Sequence, residues 1–326
     1  SGQYLKVTPP LNCLGVHGEI TPAGVIKYSC NVGAAAASET VDSQSFFQML
    51  RNFGFGSPTL LPFPGESSGI LRSPAAWSPR SKPTIAMGQE ISVSAIQVLA
   101  AATTFANGGV LLKPQLIKKI VSPEGNVIKE YGREPVRTVL SPETARSMLL
   151  MMETSTTPGG TATRAAIDGV RVSAKTGTGE MLDKTTGTYS KSAFLASCLS
   201  IFPTDDPRII IYAVINNPKA GEVLGGRIAA PLAARLSDEI TTLIGIPRAS
   251  DIVIEHPGVV RIDKPARLEI GDTVPDFTGL SKREILPIFS YRDISVKIFG
   301  EGWVISQEPA PGTPVTKGMV ITLELE

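Results

Sequence analysis

Lys175-Thr176-Gly177-Thr178 puts an ammonium, two hydroxyls and a residue without a side chain into four consecutive positions. On the edge of a strand, Lys175 and Thr176 would present one positive charge and one hydroxyl at about the spacing of a carboxylate, with Thr178 as a further hydroxyl donor. Gly177 would remove the side chain that keeps a substrate backbone away, so that an extended peptide could pair along the strand. Far upstream, Tyr28-Ser29-Cys30-Asn31-Val32-Gly33 brings a hydroxyl and an amide to the start of an Ala-rich helix. Beside a fixed cation, Ser29 could relay a proton to a departing amine. The Asn31 amide could both donate to and accept from a substrate amide. Bland readings stand next to these: a serine before a helix as its cap, a lysine before Thr-Gly as an exposed strand end. Each triplet occurs once in the sequence.

Other chemistries have less to work with. Only His17 and His256 occur, and His256 sits in a linker-like stretch, so a Ser-His-Asp site would have to use His17. Cys13, Cys30 and Cys198 are odd in number, far apart and without Cys-X-X-Cys spacing, which argues against a disulfide framework or a zinc knuckle. They read as small buried hydrophobes. Neither a metal nor another cofactor is expected.

The elements that must hold the two triplets are visible as patterns. Residues 38–53 read as an amphipathic helix with Val41, Phe46, Phe47, Met49 and Leu50 on one stripe, ended by the glycine-punctuated 53–58. Residues 62–83 read as Pro- and Ser-rich loop. A second helix starts with a capping serine at 92–94 and ends at Asn107-Gly108-Gly109; a third opens at Ser141-Pro142-Glu143, carrying Met148, Leu149, Met151 and Met152 inward. A β-patterned run at 170–174 leads into the lysine motif. Residues 193–202, a turn at 203–207 and 208–215 read as a hairpin whose second, unbroken apolar arm is covered on both faces. A helix over about 226–243 follows. Strands followed by a helix, after a mostly helical stretch, predict an α+β fold: an antiparallel sheet flanked by helices.

The 326 residues carry 31 basic and 30 acidic side chains with no basic block, so the long-range field needed to hold a polyanion is absent and nucleic acid is not an expected partner. The hydrophobic share of 42% is enough for a sizeable core, and the length predicts about two domains. No run of eighteen or more apolar residues and no charged-then-apolar leader is found, so neither a membrane span nor a signal peptide is read in these residues.

Several ordered segments, Gly18-Glu19-Ile20-Thr21-Pro22, the Ser29 segment, Phe53-Gly54-Phe55-Gly56, residues 87–97, Gly159-Gly160-Thr161-Ala162 and 172–178, closely resemble the transpeptidase domain of class B penicillin-binding proteins over about residues 10–245. The division-specific, FtsI-like or SpoVD-like branch is nearest in appearance. The resemblance implies a penicillin-binding fold and a peptidoglycan D,D-transpeptidase in which a serine is acylated by the stem peptide, or by a β-lactam, before the acyl group passes to an amine. It carries Ser29 and Asn31 over as the second motif and Lys175, Thr176, Gly177 and Thr178 as the third. Cys30 departs from the usual middle residue of the second motif and is expected to pack inward without a redox role. The first motif, Ser-X-X-Lys, does not occur, so the nucleophile is expected outside these residues.

From about residue 251 the composition turns Pro-, Val- and Glu-rich. Val274-Pro275-Asp276-Phe277-Thr278-Gly279-Leu280-Ser281, residues 296–300, Gly302-Trp303-Val304 through Gln307-Glu308-Pro309-Ala310-Pro311-Gly312-Thr313, and 320–325 resemble a PASTA domain over 272–326. One helix, shortened by Pro287, and three short strands are implied. Trp303 reads as a ligand platform or as a core or interdomain residue, and packing is the expectation. The predicted organisation is a partial transpeptidase domain at 1–247, a linker at 248–271 and a PASTA-like domain at 272–326. The implied partners are peptidoglycan stem peptides, β-lactams, a membrane glycosyltransferase and division or elongation proteins. The implied location is the extracytoplasmic face of the bacterial cytoplasmic membrane, with an anchoring helix upstream. The alternative is a non-catalytic peptidoglycan-binding or divisome scaffold.

Overall fold

The computed structural model describes residues 2–61, 64–182, 185–219, 221–249 and 268–326. They fall into two compact units, Ser1–Ile252 and Val253–Glu326.

The first unit opens with a short antiparallel pair, β1 (Gln3–Tyr4) and β2 (Leu11–Asn12). Helices α1 (Pro22–Lys27), α2 (Asn31–Ser38), α3 (Ser43–Asn52), α4 (Ser81–Ala86) and α5 (Ala95–Ala106) follow. Their starts obey capping chemistry. Asp42 accepts from the N–H groups of Gln44 and Ser45 at 2.9 Å each, so α3 begins at Ser43, later than the apolar stripe predicts, and Val41 lies outside it. Ser94 and Gln97 form a reciprocal capping box on α5. The buried Gln97 also donates to Ser57 O (2.7 Å) and Ser68 O (2.9 Å), pinning two loop segments to that helix. Of the stretch read as loop at 62–83, residues 62 and 63 lie outside the described ones; the rest holds a 3₁₀ turn, Pro74–Ala76, and the start of α4.

Two small sheets come next: β3 (Val110–Leu112) pairs with β6 (Pro135–Thr138), and between them in sequence β4 (Lys119–Val121) pairs with β5 (Val127–Glu130). Helix α6 (Pro142–Glu153) is capped by Ser141, with Pro142 in the first turn. It buries Ala145, Leu149 and Met152, while Met148 and Met151 are only half-buried.

The central sheet is antiparallel in the order β7 (Ser173–Leu182), β8 (Tyr189–Phe202), β9 (Ile209–Asn216). The predicted hairpin is the β8–β9 pair. The preceding strand differs from expectation: it begins at Ser173 and runs through the lysine motif, which therefore lies within an edge strand. Alternation sorts the side chains. Cys198 and Phe202 of β8, with Ile209, Ile211 and Ala213 of β9, pack on Ala229, Ala230 and Ala233 of α7 (Gly225–Ile244). Leu199, Ile201 and Ile210 face the other way, onto Ala102 of α5 and Leu149 and Met152 of α6. Cover on both faces explains the unbroken apolar run at 209–215.

In the second unit, α8 (Lys282–Ile285) is a single turn continued by a 3₁₀ segment, Leu286–Ser290, in keeping with Pro287. Strands β10 (Ile294–Gly300), β11 (Val304–Glu308) and β12 (Met319–Leu325) form a sheet ordered β10-β12-β11, parallel in the first pair and antiparallel in the second. The core is Val274, Phe277, Ile285, Ile288, Ile321 and Leu323. Gln307 accepts from Phe277 N–H at 2.7 Å and donates to Pro275 O and Pro309 O, tying the Pro-rich turns to β11. Trp303 departs from the packing expectation: it is 62% exposed. The linker read at 248–271 lies outside the described residues from 250 to 267, as does His256.

Candidate active site

Ser29 occupies the junction between two helices. Tyr28 closes α1, Cys30 caps α2 with its Sγ accepting from Gly33 N–H at 3.4 Å, and Ser29 between them adopts the left-handed conformation, φ +52°. The cap is thus Cys30, which leaves the Ser29 side chain free for other work. A non-glycine residue in this region costs about 1–2 kcal/mol, and the conformation aims Oγ at β7, 146 residues further along. There, Lys175 Nζ donates to Ser29 Oγ at 2.8 Å and to Thr176 O at 2.6 Å. Burial pushes the Lys175 ammonium down from 10.5 to about 8, the neighbouring Cys198 acting weakly in the opposite sense.

Bonds far from the chemistry hold this register. Ser155 donates to Ala174 O (2.6 Å) and Ser173 to Leu149 O (2.8 Å), fastening β7 to the end of α6 and the turn after it. Thr161 donates through both N–H (3.1 Å) and Oγ1 (3.2 Å) to Lys27 O, fastening the 159–162 loop to the end of α1 beside Ser29.

A cleft of about 550 Å³ opens in front of the pair, lined among others by Ser29, Asn31, Thr176 and Thr178. Asn31 Nδ2 donates to Asn12 O at 3.0 Å, which leaves its Oδ1 to accept. Thr178 Oγ1 accepts from Gly225 N–H at 2.9 Å, leaving its own hydrogen to donate. At Gly177 close packing against β8 also bears on the choice of residue, since a Cβ there would lie 2.7 Å from Ser197 Oγ. Gly225 is forced more strongly, since its Cβ would lie 2.3 Å from Gly177 O and 2.4 Å from Ser197 O. Only glycine lets the first turn of α7 rest on β7 and β8.

Sequence reading misses Arg164, on the 3₁₀ turn Thr163–Ala165, and Arg227, in the first turn of α7; both line the cleft. The Glu222 carboxylate, bonded to Leu224 and Val223 N–H and lying in the field of Arg227 and Arg164, is held below its ordinary value. Nothing in the sequence separates these arginines from surface ones. They add positive charge to the wall of the cleft that Ser29 and Thr176 also line.

The cysteines depart in part from expectation. Cys198 is a buried small residue of β8, its thiol pushed up by burial. Cys13 and Cys30, however, meet with their Sγ atoms 3.7 Å apart, and His17 Nδ1 lies 3.8 Å from Cys13 Sγ. The His17 ring stacks on Tyr28, with centroids 5.1 Å apart and an interplanar angle of 7°.

An edge strand bearing Lys-Thr-Gly, faced by a Ser-X-Asn turn between helices, supplies two of the three motifs of the penicillin-interacting serine acyltransferases. The family model described as the penicillin-binding protein transpeptidase domain matches residues 10–238, and a PASTA domain model matches 272–326. The chain belongs to the penicillin-binding protein transpeptidase family. It is 30% identical to stage V sporulation protein D of Bacillus subtilis over 314 residues, covering 95% of this chain and 47% of that protein. It is also 30% identical to peptidoglycan D,D-transpeptidase FtsI of Escherichia coli over 216 residues, 66% of this chain and 34% of that one. Among solved structures it resembles penicillin-binding protein 3 of Mycobacterium tuberculosis complexed with ampicillin (TM-score 0.70, 28% identity, 79% of this chain and 58% of that one). The transpeptidase domain of Burkholderia pseudomallei penicillin-binding protein 3 is similar at TM-score 0.68 and 26% identity, over 76% and 72% of the two chains. The chain spans less than half the length of these curated relatives. Among the described residues no helix is long and apolar enough to cross a membrane.

Proposed function

We propose that this chain carries the substrate-binding and proton-relay side of a peptidoglycan D,D-transpeptidase that is inhibited by β-lactams. The observation that carries the reading is the 2.8 Å contact between Lys175 Nζ and Ser29 Oγ at the edge of a cleft. A lysine with a pKa of about 8 gives up a proton near neutrality far more readily than an ordinary one. Ser29, hydrogen-bonded to it, passes a proton between the departing D-alanine amine and the site. Thr176 and Thr178 donate hydroxyl hydrogen bonds to the C-terminal carboxylate of the donor stem peptide, inside the positive field of Lys175, Arg164 and Arg227. Asn31 Oδ1 accepts from a substrate amide, and the edge of β7 pairs with the extended stem. The attacking serine comes from a Ser-X-X-Lys segment outside these 326 residues.

In the same reading, residues 1–247 belong to the transpeptidase domain, 248–271 link it to a PASTA domain at 272–326, and the protein works at the extracytoplasmic face of the cytoplasmic membrane. There its partners are a membrane glycosyltransferase and division or elongation proteins.

Intact-mass analysis after incubation with a β-lactam, with peptide mapping of the adduct, tests the reading. The 326-residue chain alone should take no adduct; the full-length polypeptide should take one, on a Ser-X-X-Lys serine, and Lys175→Ala should slow its formation at least about a hundredfold. Acylation of the full-length protein at an unchanged rate in Lys175→Ala, or an adduct on Ser29, refutes it.

A further inference from the structure

Cys13, His17 and Cys30 bring a thiol, an imidazole nitrogen and a second thiol within 4.8 Å of one another, next to the Ser29 turn. We propose that these three residues form a binding site for one zinc-class cation, which clips the 13–17 loop to the turn carrying Ser29 and Asn31.

The distances favour a shared cation. With metal–sulfur bonds of about 2.3 Å, metal–nitrogen bonds of about 2.0–2.1 Å and tetrahedral angles, two thiolates stand about 3.8 Å apart and a thiolate and imidazole nitrogen about 3.6 Å apart. The observed separations are 3.7 Å for the sulfurs and 3.8 Å for Cys13 Sγ to His17 Nδ1, with Cys30 Sγ and the imidazole within 4.8 Å, a side that closes as the ion binds. A disulfide would instead need the sulfurs to close to about 2.05 Å.

Cys30 caps α2 and already accepts from Gly33 N–H, at the end of a helix where negative charge is favoured, while burial pushes its thiol up. Stacking on Tyr28 fixes the plane of the His17 ring, the role usually taken by a supporting group around a metal-bound histidine. Cys13 and His17 are half-exposed while Cys30 is buried, so an ion can enter from solvent and lodge against the turn. Each thiol releases its proton to solvent as the ion binds, and the fourth position is left to water. Cys30 lies between Ser29 and Asn31, and Asn31 bonds Asn12 O next to Cys13. An occupied site would therefore hold both ends of the Ser-X-Asn turn without occupying the cleft-facing groups of Ser29 and Asn31.

The test uses the full-length protein, fully reduced and stripped of metal, titrated with Co²⁺ and then Zn²⁺. One Co²⁺ per chain should bind with a thiolate-to-cobalt charge-transfer band of two-thiolate intensity, and Zn²⁺ should bleach it. Cys13→Ser should halve the band and weaken Zn²⁺ binding about a hundredfold; His17→Gln should keep the band but weaken binding at least about tenfold. Cys13 lies outside any helix or strand, so if Cys30→Ser unfolds through loss of its cap, these two variants still decide. The proposal is overturned if reduced protein gives no charge-transfer band, if binding survives Cys13→Ser undiminished, or if a Cys13–Cys30 disulfide forms in the presence of equimolar Zn²⁺. The readout does not involve β-lactam acylation, so it can fail while the transpeptidase reading stands, and the reverse.

Discussion

Replacing Lys175 by methionine keeps an unbranched apolar stem and removes the terminal ammonium together with its bonds to Ser29 Oγ and Thr176 O. The wild-type ammonium is enclosed, with its pKa lowered from 10.5 to about 8 by burial. Below about pH 8 both folded and unfolded chains hold the proton, and the folded state carries the full cost of burying it. Above 10.5 neither does. Between these values the unfolded state binds more protons, so stability rises with pH. At about 1.4 kcal/mol for each pH unit separating the two values, the wild type should gain about 3 kcal/mol relative to Lys175→Met between about pH 7 and pH 11. A pH-independent offset of about 1–3 kcal/mol against the variant accompanies this, from the lost bonds to Ser29 Oγ and Thr176 O. Urea unfolding at intervals across that range, followed by Trp77 fluorescence in a Trp303→Phe background, isolates the first unit, and the difference between the two proteins cancels every other titrating group. A flat difference would mean that the ammonium is solvated. A difference of opposite slope would mean that a buried anion partners it. Either result refutes burial as the cause of the lowered Lys175 pKa.

Ser29→Gly should relieve about 1 kcal/mol of left-handed strain and lose a similar amount with the Oγ acceptor of Lys175, leaving thermal stability within about 1 kcal/mol of the wild type, while β-lactam acylation of the full-length protein slows by about 10²–10⁴; a large loss of stability alongside the loss of acylation would point to a structural role alone. Gly225→Ala should destabilise the first unit by at least about 2 kcal/mol, because its Cβ meets two backbone carbonyls that cannot retreat, and acylation should slow as the start of α7 leaves Thr178. Ser237 Oγ is buried in α7 without a hydrogen-bond partner among the described residues, so Ser237→Ala should be neutral or up to about 1 kcal/mol stabilising in chemical denaturation. A clear loss there would reveal a bound water.

Where local chemistry decides an element, the sequence is enough to find it. Ser94 with Gln97, and Ser141 with Pro142, announce helix starts because caps satisfy orphaned N–H groups within one turn. The apolar run at 209–215 announces a strand covered twice. The edge strand β7 is legible only to Ala174, since Thr-Gly-Thr-Gly has no apolar alternation and its pairing is imposed by β8. Ser29 can be named from its motif, but its left-handed backbone cannot, because serine gives no signal for that conformation and Cys30 is an unusual cap. Arg164 and Arg227 carry ordinary surface chemistry in sequence and join the cleft only through the packing of α7. Cys13 and Cys30, separated by an irregular stretch and α1, look unrelated in sequence because their approach depends on how that helix and stretch fold back.

The Ser29–Lys175 contact joins residues that no local rule relates, and its short distance depends on side chains that take no part in the chemistry. The hydroxyls of Ser155, Ser173 and Thr161 each satisfy a backbone carbonyl of another element, and together they tie α6 to β7 and the 159–162 loop to α1. Ser155 and Ser173 are fully buried, where an unpaired carbonyl would cost about 1–3 kcal/mol. Such bonds are therefore either made or the packing changes; there is little middle ground. That all-or-none character lets the strained turn at Ser29 persist: the cost of its backbone is small beside the cost of loosening the clamps on either side of it. Rigid support of this kind suits the proton relay proposed for Ser29 and Lys175, which requires two atoms to stay within hydrogen-bond reach while substrate enters and leaves.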